Sequence, residues 1–542
     1  MLFRDSFIEA LKKTKNEYDI IAVCYCELLA YKRDNDKNFI ARIGCMKGDY
    51  EYGIFAEVFE DLRQEVLNIV MQMNMNDEHA GLGFEETKNK IIQKICQFQC
   101  PGTLTDDVCV PVCIFYILEA LDSYVERDLE ETYDSCWDFE PLNKGESRKN
   151  CFVYLQERTS FLKGAYHTES KKGFRKPLHS TRIGSLFHTL LLFKSDKLEN
   201  IPQVIPIKLN KYCKSVIQNK IKIFSIPYIG FDTFRFCSAN NPQICEPDKI
   251  EGPFYVKYSP ADEADNIQRV TALLELAIEK GANIVIFPEF IMSEGMKNGV
   301  QTYLREMQYD KKKRLILVLA GTSYHWDGKG RGNNILHMFN AKGMEIGRYY
   351  KYSPFHKQKE EQVHGAGVST GKAGDSAQRR QYFKNCEILS EPGKECVLLD
   401  IDGVGRVLPA ICRDVIDGEY TSRLADLFMP SILLVPAWSE SVNSFDSRLT
   451  PLSDTIHAAS LLCNCCNAVK GDKENTVIGR FYMPAKQNTC MKAEVLDISH
   501  NQECKSLCRE RGGCIVQIEV DFSGGEPKSE IVGIYHPKEI RE

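Results

Sequence analysis

Short apolar runs alternate with amphipathic helical segments from about residue 220 onward, and this alternation constrains the fold more than any other feature of the sequence. The apolar runs have the length and composition of buried strands and lie at 222–228, 284–288, 314–322 and 334–339. Between the first two runs, residues 264–280 place apolar side chains at helical spacing, and Gly281 ends that helix. Strongly apolar strands that alternate with helices predict an α/β fold, with helices on the outer faces of its sheets.

The first 215 residues follow a different pattern. Apolar residues recur there at helical spacing in three segments, at 54–73, 87–98 and 108–125. Residues 19–24 fit a strand and a buried helical segment equally well. The length of 542 residues exceeds one ordinary core, and 43% hydrophobic with 27% charged residues is typical of globular proteins. We therefore expect a mainly helical accessory domain of unknown function at 1–215 and an α/β domain at 216–542.

A carboxylate, an amine and a thiol each follow a strand-like segment of the predicted α/β domain. Glu289 follows 284–288, Lys351 follows 347–350 and Cys412 follows 407–411. Groups at the ends of neighbouring strands can meet in one pocket. Such a trio suits the opening of a carbon-nitrogen bond: the carboxylate takes the thiol proton and later activates water, and the amine stabilises the negative oxygen that develops. Taken alone, the cysteine is explained equally well as a small buried apolar residue and the Pro288-Glu289 pair as a turn.

The segments around these three residues resemble the nitrilase, or carbon-nitrogen hydrolase, superfamily. Five pieces match in the family's chain order, at 281–289, 349–355, 405–414, 431–438 and 479–484. The likeness begins near residue 221 and continues into the C-terminal region. The resemblance implies a four-layer α-β-β-α sandwich, a catalytic triad of Glu289, Lys351 and Cys412, and no cofactor.

The sequence departs from the family around the lysine. Many members carry a Lys-x-His-Leu type of sequence, whereas Lys351 precedes Tyr-Ser-Pro, so Lys357 is a rival for its role. The resemblance also implies a second glutamate after the lysine, for which Glu360 and Glu361 are candidates. The long stretch at 356–396 is interpreted as an active-site insertion that sets specificity, with an ordinary surface loop as the alternative.

Three further residues are predicted to contact the substrate. The backbone N–H of Arg413 could supply a second donor to the developing oxyanion. Tyr324 follows a predicted strand and either forms a wall of the pocket or closes the core. Trp438 either shapes the acyl pocket, as the resemblance implies, or serves in packing alone.

The chain contains 22 cysteines, which could indicate disulfides, metal binding or ordinary packing. We expect reduced thiols and no metal, and interpret 463–466 as packing residues, with a redox or metal pair as the alternative there. The alternative is a zinc site made by Cys490, Cys504, Cys508 and Cys514, with His500 nearby, if a loop brings Cys490 close.

Net charge and hydropathy limit the classes of partner that the sequence predicts. A net charge of −6 over this length is mild and argues against a nucleic-acid partner held by overall charge. The start has no basic, apolar leader, and no apolar run reaches membrane-spanning length. These features predict a cytoplasmic protein with no membrane partner.

The sequence thus predicts a cysteine-dependent hydrolase of a non-peptide carbon-nitrogen bond, most simply an amide, acting through a thioester. The resemblance implies a homodimer or larger homo-oligomer, and the N-terminal domain is a candidate surface for a protein partner. One alternative is a catalytically silent scaffold whose helical half binds a partner or signal. Another is a glutaminase that feeds a synthetase, although the N-terminal half has no Ser-Gly-Gly-x-Asp motif.

Overall fold

The computed structural model contains two compact units. It describes residues 3–15, 20–28, 53–72, 83–99, 106–131, 151–155, 190–194, 203–207, 209, 220–227, 234–245, 250, 252–259, 262–360, 381–401, 404–428, 430–456, 458–469, 475–483, 493–521 and 528–537. The first unit comprises Met1–Ile201, Asp400–Gly405 and Leu427–Met429, and the second comprises Pro202–Leu399, Arg406–Asp426 and Pro430–Glu542. The division into domains at 1–215 and 216–542 stays a prediction, and strand β3 at Gln203–Ile207 belongs to the second unit.

In its described residues the first unit is mainly helical, as predicted. Its helices are α1 (Phe3–Lys12), α2 (20–28), α3 (Gly53–Met71), α4 (Phe84–Gln97) and α5 (Asp106–Glu131). One core joins them, in which the Phe59 ring stacks on Tyr116 with centroids 5.6 Å apart. Helix α2 buries its apolar residues on every side, which explains why periodicity could not separate helix from strand at 19–24. Strands β1 (Cys151–Leu155) and β2 (Leu190–Lys194) form an antiparallel pair.

The second unit contains two seven-stranded sheets. The first, called sheet I, has the strand order β10-β9-β8-β7-β4-β19-β20, and the second, sheet II, has the order β18-β17-β16-β15-β14-β13-β3. The strands of sheet I are β4 (Lys220–Ser225), β7 (Ile284–Ile286), β8 (Leu317–Trp326), β9 (Gly332–Asn340), β10 (Glu345–Tyr350), β19 (Ile515–Asp521) and β20 (Lys528–Tyr535). Besides β3, sheet II contains β13 (Val397–Ile401), β14 (Gly405–Pro409), β15 (Ile432–Ala437), β16 (Ala459–Asn464), β17 (Asn475–Met483) and β18 (Glu494–Asn501). A four-stranded sheet of order β11-β12-β6-β5 adds β5 (Phe234–Ser238), β6 (Gly252–Tyr258), β11 (His356–Glu360) and β12 (Gln381–Glu387).

Helices cover the outer faces of the two large sheets. The α-helices in the described residues of this unit are α6 (Glu263–Glu279), α7 (Glu294–Glu306), α8 (Tyr309–Lys312), α9 (Arg413–Asp417), α10 (Glu419–Phe428), α11 (Asn443–Ile456) and α12 (Gln502–Arg511). Helices α6 and α7 pack together and share one apolar core with β4, β7 and β8 of sheet I, while α11 packs on β16 and β17 of sheet II. This arrangement confirms the predicted α-β-β-α order.

The inner faces of the two sheets meet along the ends of their central strands. The Cys463 thiol lies 3.5 Å from the carbonyl oxygen of Ile286, and the Glu289 N–H donates to the carbonyl of Ala437 at 3.4 Å. The strands β4, β7 and β8 run parallel, as do β14, β15 and β16, so the residues that follow them emerge at common sheet edges. In the described part of the chain, no helix combines the length and the apolar composition that a membrane span requires.

Substitution of Gly321 tests how closely β8 packs against the segment that follows β7. Gly321 has φ +78°, and an added Cβ would lie 2.5 Å from the carbonyl oxygen of Pro288. Gly328 has φ +73° with no heavy atom within 4 Å of such a Cβ, so Gly328→Ala is a matched control for backbone strain. We expect Gly328→Ala to cost roughly 1–2 kcal/mol of unfolding free energy and Gly321→Ala roughly 1–3 kcal/mol more, measured by urea titration. Equal losses in the two variants would contradict the close packing.

Candidate active site

Glu289, Lys351 and Cys412 come together between the two large sheets. Glu289 follows β7 and Lys351 follows β10 in sheet I, whereas Cys412 follows β14 in sheet II. All three side chains are buried, with residue exposures of 0%, 1% and 2%. The structure therefore places the three sequence-predicted groups at one site.

Lys351 forms a buried double ion pair. Its Nζ donates to Glu289 Oε1 and to Glu387 Oε2, each at 2.6 Å. Burial opposes the charge on the ammonium group, but the two carboxylates outweigh it and raise the Lys351 pKa. The Phe290 ring adds a cation–π contact, with its centroid 5.4 Å from Nζ. Lys351 is therefore a fixed positive charge at the site.

Glu289 is held by three donors. Besides Lys351, the Asn334 side-chain amide donates to Oε1 at 2.9 Å and the Trp438 N–H donates to Oε2 at 3.1 Å. Burial raises the Glu289 pKa, and Lys351 acts against that rise. A carboxylate with a raised pKa accepts and releases a proton more readily near neutral pH, which suits a general base and acid.

Cys412 occupies a strained turn between β14 and α9. Its φ and ψ are 42° and −99°, and its N–H donates to the carbonyl of Pro436 at 3.0 Å. The Glu289 carboxylate and the Trp438 N–H are the polar groups that act on the pKa of the thiol besides Lys351. Burial, reinforced by the Glu289 charge, raises the pKa of the thiol. The resting thiol is therefore protonated beside a base.

Backbone strain is concentrated at this site. Among the described residues other than glycine, Phe290 and Cys412 have positive φ values, 64° and 42°. Phe290 directly follows Glu289, and its N–H donates to Thr322 Oγ1 at 2.8 Å. Strained residues persist where surrounding contacts hold them, and they cluster at functional sites.

Glu387 is a site residue that sequence reasoning missed. It ends β12, and its Oε2 accepts from Lys351 Nζ and from the Phe355 N–H at 2.8 Å. The resemblance had suggested Glu360 or Glu361 for a second glutamate. Glu361 and the side chains of Glu360 and Lys357 lie outside the described residues.

Asn334 connects the two carboxylates. Its Nδ2 donates to Glu289 Oε1 at 2.9 Å and to Glu387 Oε1 at 3.0 Å, and its backbone carbonyl accepts from the Lys351 N–H at 2.9 Å. One residue of β9 thus fixes the lysine and both of its partners. No sequence motif singled it out, because a lone asparagine within a strand has no distinctive local pattern.

Asp414 ties the cysteine turn to the lysine segment. Its Oδ1 accepts from the N–H groups of Tyr352 at 3.0 Å and Ser353 at 2.6 Å, and its Oδ2 accepts from the Ile411 N–H at 3.3 Å. Burial raises the pKa of Asp414 to about 7, against the effect of these donors. The carboxyl group links the segments that carry Lys351 and Cys412.

The remaining predicted residues lie close to the triad in sequence or in space. Arg413 begins α9, and its guanidinium Nε pairs with Asp417 Oδ1 at 2.8 Å. The Tyr324 hydroxyl donates to the carbonyl of Ile388 at 2.6 Å, and its ring packs in a buried aromatic cluster. Trp438 contributes its N–H to Glu289 and packs its ring on Phe236, with centroids 4.9 Å apart.

Residues 253–427 of this chain match the carbon-nitrogen hydrolase family, which confirms the resemblance seen in the sequence. The N-terminal part has no family match. A search of curated proteins gave no match.

Several solved structures are similar to this chain. Nit3 of Saccharomyces cerevisiae, a member of branch 10 of the nitrilase superfamily, is 14% identical over 54% of this chain and 94% of that chain, with a TM-score of 0.30. An amidase from Nesterenkonia sp. is 12% identical over 52% of this chain and 90% of that chain, with a TM-score of 0.31. The C. elegans NitFhit protein is 14% identical over 52% of this chain and 61% of that chain, with a TM-score of 0.29.

Removal of Glu387 tests the buried ion pair. Glu387→Ala leaves the buried Lys351 with one carboxylate, so we expect a loss of about 3–5 kcal/mol of unfolding free energy. Glu391→Ala is the matched control, because it removes a carboxylate whose 2.8 Å pair with Lys394 lies at the surface. We expect that control to cost less than about 1 kcal/mol. Similar losses in the two variants, measured by urea titration, would contradict the account of the pair.

The raised pKa of Asp414 predicts a pH dependence of stability. The group titrates near 3.8 in an unfolded chain and near 7 in the folded protein, so only the folded state keeps the proton between these values. Its stabilising contribution is therefore complete at low pH and is lost as the pH rises to about 7. We expect Asp414→Asn to gain on the order of 3 kcal/mol relative to the parent protein between pH 4 and pH 7, in urea titrations at each pH. A flat or opposite trend would show that the backbone donors outweigh burial.

Proposed function

We propose that this chain, as a nitrilase-superfamily protein, hydrolyses a non-peptide carbon-nitrogen bond of a small-molecule amide through a thioester on Cys412. The observation that carries the proposal is the meeting of a thiol, a carboxylate and an ammonium group in one buried site, at Cys412, Glu289 and Lys351. The family match over residues 253–427 supports a hydrolase of this class.

In the proposed first half-reaction, the Cys412 sulfur attacks the carbonyl carbon of the amide while Glu289 accepts the thiol proton. The thiol needs this base because burial keeps it protonated at rest. The electron pair of the carbonyl moves to its oxygen, and Lys351 stabilises the resulting negative charge. The carbon-nitrogen bond then breaks, Glu289 donates its proton to the leaving nitrogen, and an acyl thioester remains.

In the second half-reaction, a water molecule attacks the thioester carbon while Glu289 accepts a water proton. The carbon-sulfur bond breaks, the thiol recovers its proton from Glu289, and the acid product leaves. Lys351 stabilises the oxyanion in this step also. The fixed charge of Lys351 and the raised pKa of Glu289 both support this division of roles.

Aromatic residues beside the triad support a compact substrate. Phe290, Tyr324 and Trp438 pack into one cluster with Phe236 and other apolar residues. Flat, apolar walls favour a small acyl group and limit access of bulk water to the thioester. We propose that this cluster lines the acyl side of the site.

The proposal also covers the location of the protein in the cell, its assembly and its protein partner. We place the protein in the cytoplasm as a homodimer or larger homo-oligomer, and propose that the N-terminal helical part receives a protein partner. The silent-scaffold alternative predicts the same fold and the same assembly. It differs in predicting a thiol that no amide acylates.

Acyl-adduct formation tests the proposed nucleophile. The full-length protein and its Glu289→Gln variant are incubated with a panel of small amides, nitriles and carbamoyl compounds and examined by intact mass and peptide mapping. We expect at least one compound to add its acyl mass at Cys412. In Glu289→Gln the adduct should form more slowly, because the thiol lacks its base, and should persist longer, because the base that activates water is lost.

Two cysteine variants complete the experiment. Cys412→Ala is expected to abolish the adduct, whereas Cys396→Ala, which removes a buried thiol with a pKa raised to about 12 by burial, is expected to retain it. Persistence of every adduct in Cys412→Ala would contradict the assigned nucleophile. The absence of adducts with all compounds, together with ordinary alkylation of Cys412, would favour the scaffold.

A further inference from the structure

The crossover between β18 and β19 brings three thiols and an imidazole together. His500 lies in β18, Cys504 and Cys508 lie in α12, and Cys514 directly precedes β19. Their potential ligand atoms all lie within 4.8 Å of one another, and all four residues are buried. We propose that these four residues, the crossover cluster, bind one structural zinc ion.

Local structure explains how a 15-residue stretch of sequence supplies four converging ligands. Cys504 and Cys508 are four residues apart on a helix and therefore share one face. The Asn501 side chain accepts from the Cys504 N–H at 2.7 Å and caps the helix directly after His500. Gly512 and Gly513, with φ values of 75° and 130°, then turn the chain back so that Cys514 returns to the same face.

Distances within the crossover cluster are close to those between the ligands of a tetrahedral zinc ion. Zinc–sulfur and zinc–nitrogen bonds near 2.3 and 2.0 Å place two sulfur ligands about 3.8 Å apart and a sulfur and a nitrogen ligand about 3.5 Å apart. His500 Nε2 lies 3.0 Å from Cys514 Sγ, and the Cys504 and Cys508 sulfurs lie 4.0 Å apart. These values lie on either side of the tetrahedral range, so small side-chain rotations suffice to complete the coordination. Three thiolates with one imidazole is a common ligand set of structural zinc sites.

Packing alone gives a weak account of the crossover cluster. Of the ten residues of α12, Cys504 and Cys508 are the buried ones. The small apolar core at this position consists of the three cysteines with Ile534 packed against them. A core of thiols offers little apolar area to hold a polar helix against two sheets. A metal ion would supply the missing attachment, since structural zinc contributes directly to folding free energy.

A second histidine lies beside the crossover cluster. His536 Nε2 lies 3.5 Å from Cys504 Sγ and 3.6 Å from Cys508 Sγ. We assign His536 to hydrogen bonding with the bound thiolates rather than to the ion. The four ligand atoms that all lie within 4.8 Å of one another do not include a nitrogen of His536.

The position of the crossover cluster gives the ion a structural role. Strand β18 belongs to sheet II and β19 belongs to sheet I, so a bound ion would cross-link the two sheets. Sheet II carries Cys412, and sheet I carries Glu289 and Lys351. Cys490, which the sequence suggested as a ligand, lies outside the described residues, and the four ligands of the crossover cluster complete a tetrahedral set by themselves.

Metal content of the purified full-length protein tests the proposal. We expect about one zinc per chain by elemental mass spectrometry after expression with added zinc. Replacement by Co²⁺ should give the thiolate-to-cobalt charge-transfer absorption of a tetrahedral site. The double variant Cys504→Ser/Cys508→Ser should lose the metal, while Cys237→Ser/Cys245→Ser, which removes another close pair of thiols 2.8 Å apart, should keep it.

Histidine variants check the ligand set. His500→Asn should release zinc to a chelator that leaves the parent protein loaded, while His536→Asn should retain about one zinc with affinity about 10–100-fold weaker. A parent protein that binds neither zinc nor cobalt would overturn the proposal, and this measurement does not depend on whether the Cys504→Ser/Cys508→Ser variant folds. Iron with inorganic sulfide, a Cys504–Cys508 disulfide in the loaded protein, or equal zinc in both double variants would also overturn it.

Discussion

A buried ammonium group between two carboxylates is the interaction on which the site depends. Removing these charges from water is costly, and the cost is offset only if every partner is in place. Lys351 meets Glu289 and Glu387 at 2.6 Å, while Asn334 joins both carboxylates. Strands β9 and β12 and the segments after β7 and β10 must therefore reach their positions together, so assembly of the site and completion of the fold are linked.

Sheet II supplies the proposed nucleophile, Cys412, while the ion pair belongs to segments outside that sheet. The Cys412 N–H donates a hydrogen bond to the carbonyl of Pro436, which holds the cysteine in a strained turn. The neighbouring Asp414 carboxyl group accepts from the N–H of Tyr352, directly after Lys351. The same carboxylate that pairs with Lys351 also acts on the pKa of the thiol, so the interface between the two sheets brings the reactive groups together. A device that clamps the two sheets, such as a zinc ion in the crossover cluster, would stabilise this interface at a distance from the chemistry.

Local sequence patterns were sufficient to predict the site residues that follow a recognisable apolar strand. Glu289 and Cys412 follow apolar runs, and the α/β alternation predicted the sheets that bring them together. Glu387 escaped prediction because it ends a short polar strand more than thirty residues after the lysine, where chain distance gives no guide to spatial distance. The crossover cluster needed the fold as well: its spacing was visible, but only the structure shows His500 and Cys514 returning to the face of α12 that carries the two cysteines. The residues that the sequence did not predict are those that reach the site only because the folded chain brings distant segments together.

The central claim is that Glu289, Lys351 and Cys412 act on one carbonyl group. The most direct measurement is a crystal structure of Cys412→Ala with an amide that acylates the parent protein. The account predicts the carbonyl oxygen within about 3 Å of Lys351 Nζ, the carbonyl carbon facing the position of the missing sulfur, and the amide nitrogen within reach of Glu289. An amide bound with its carbonyl oxygen directed away from Lys351, or bound outside this site, would contradict it.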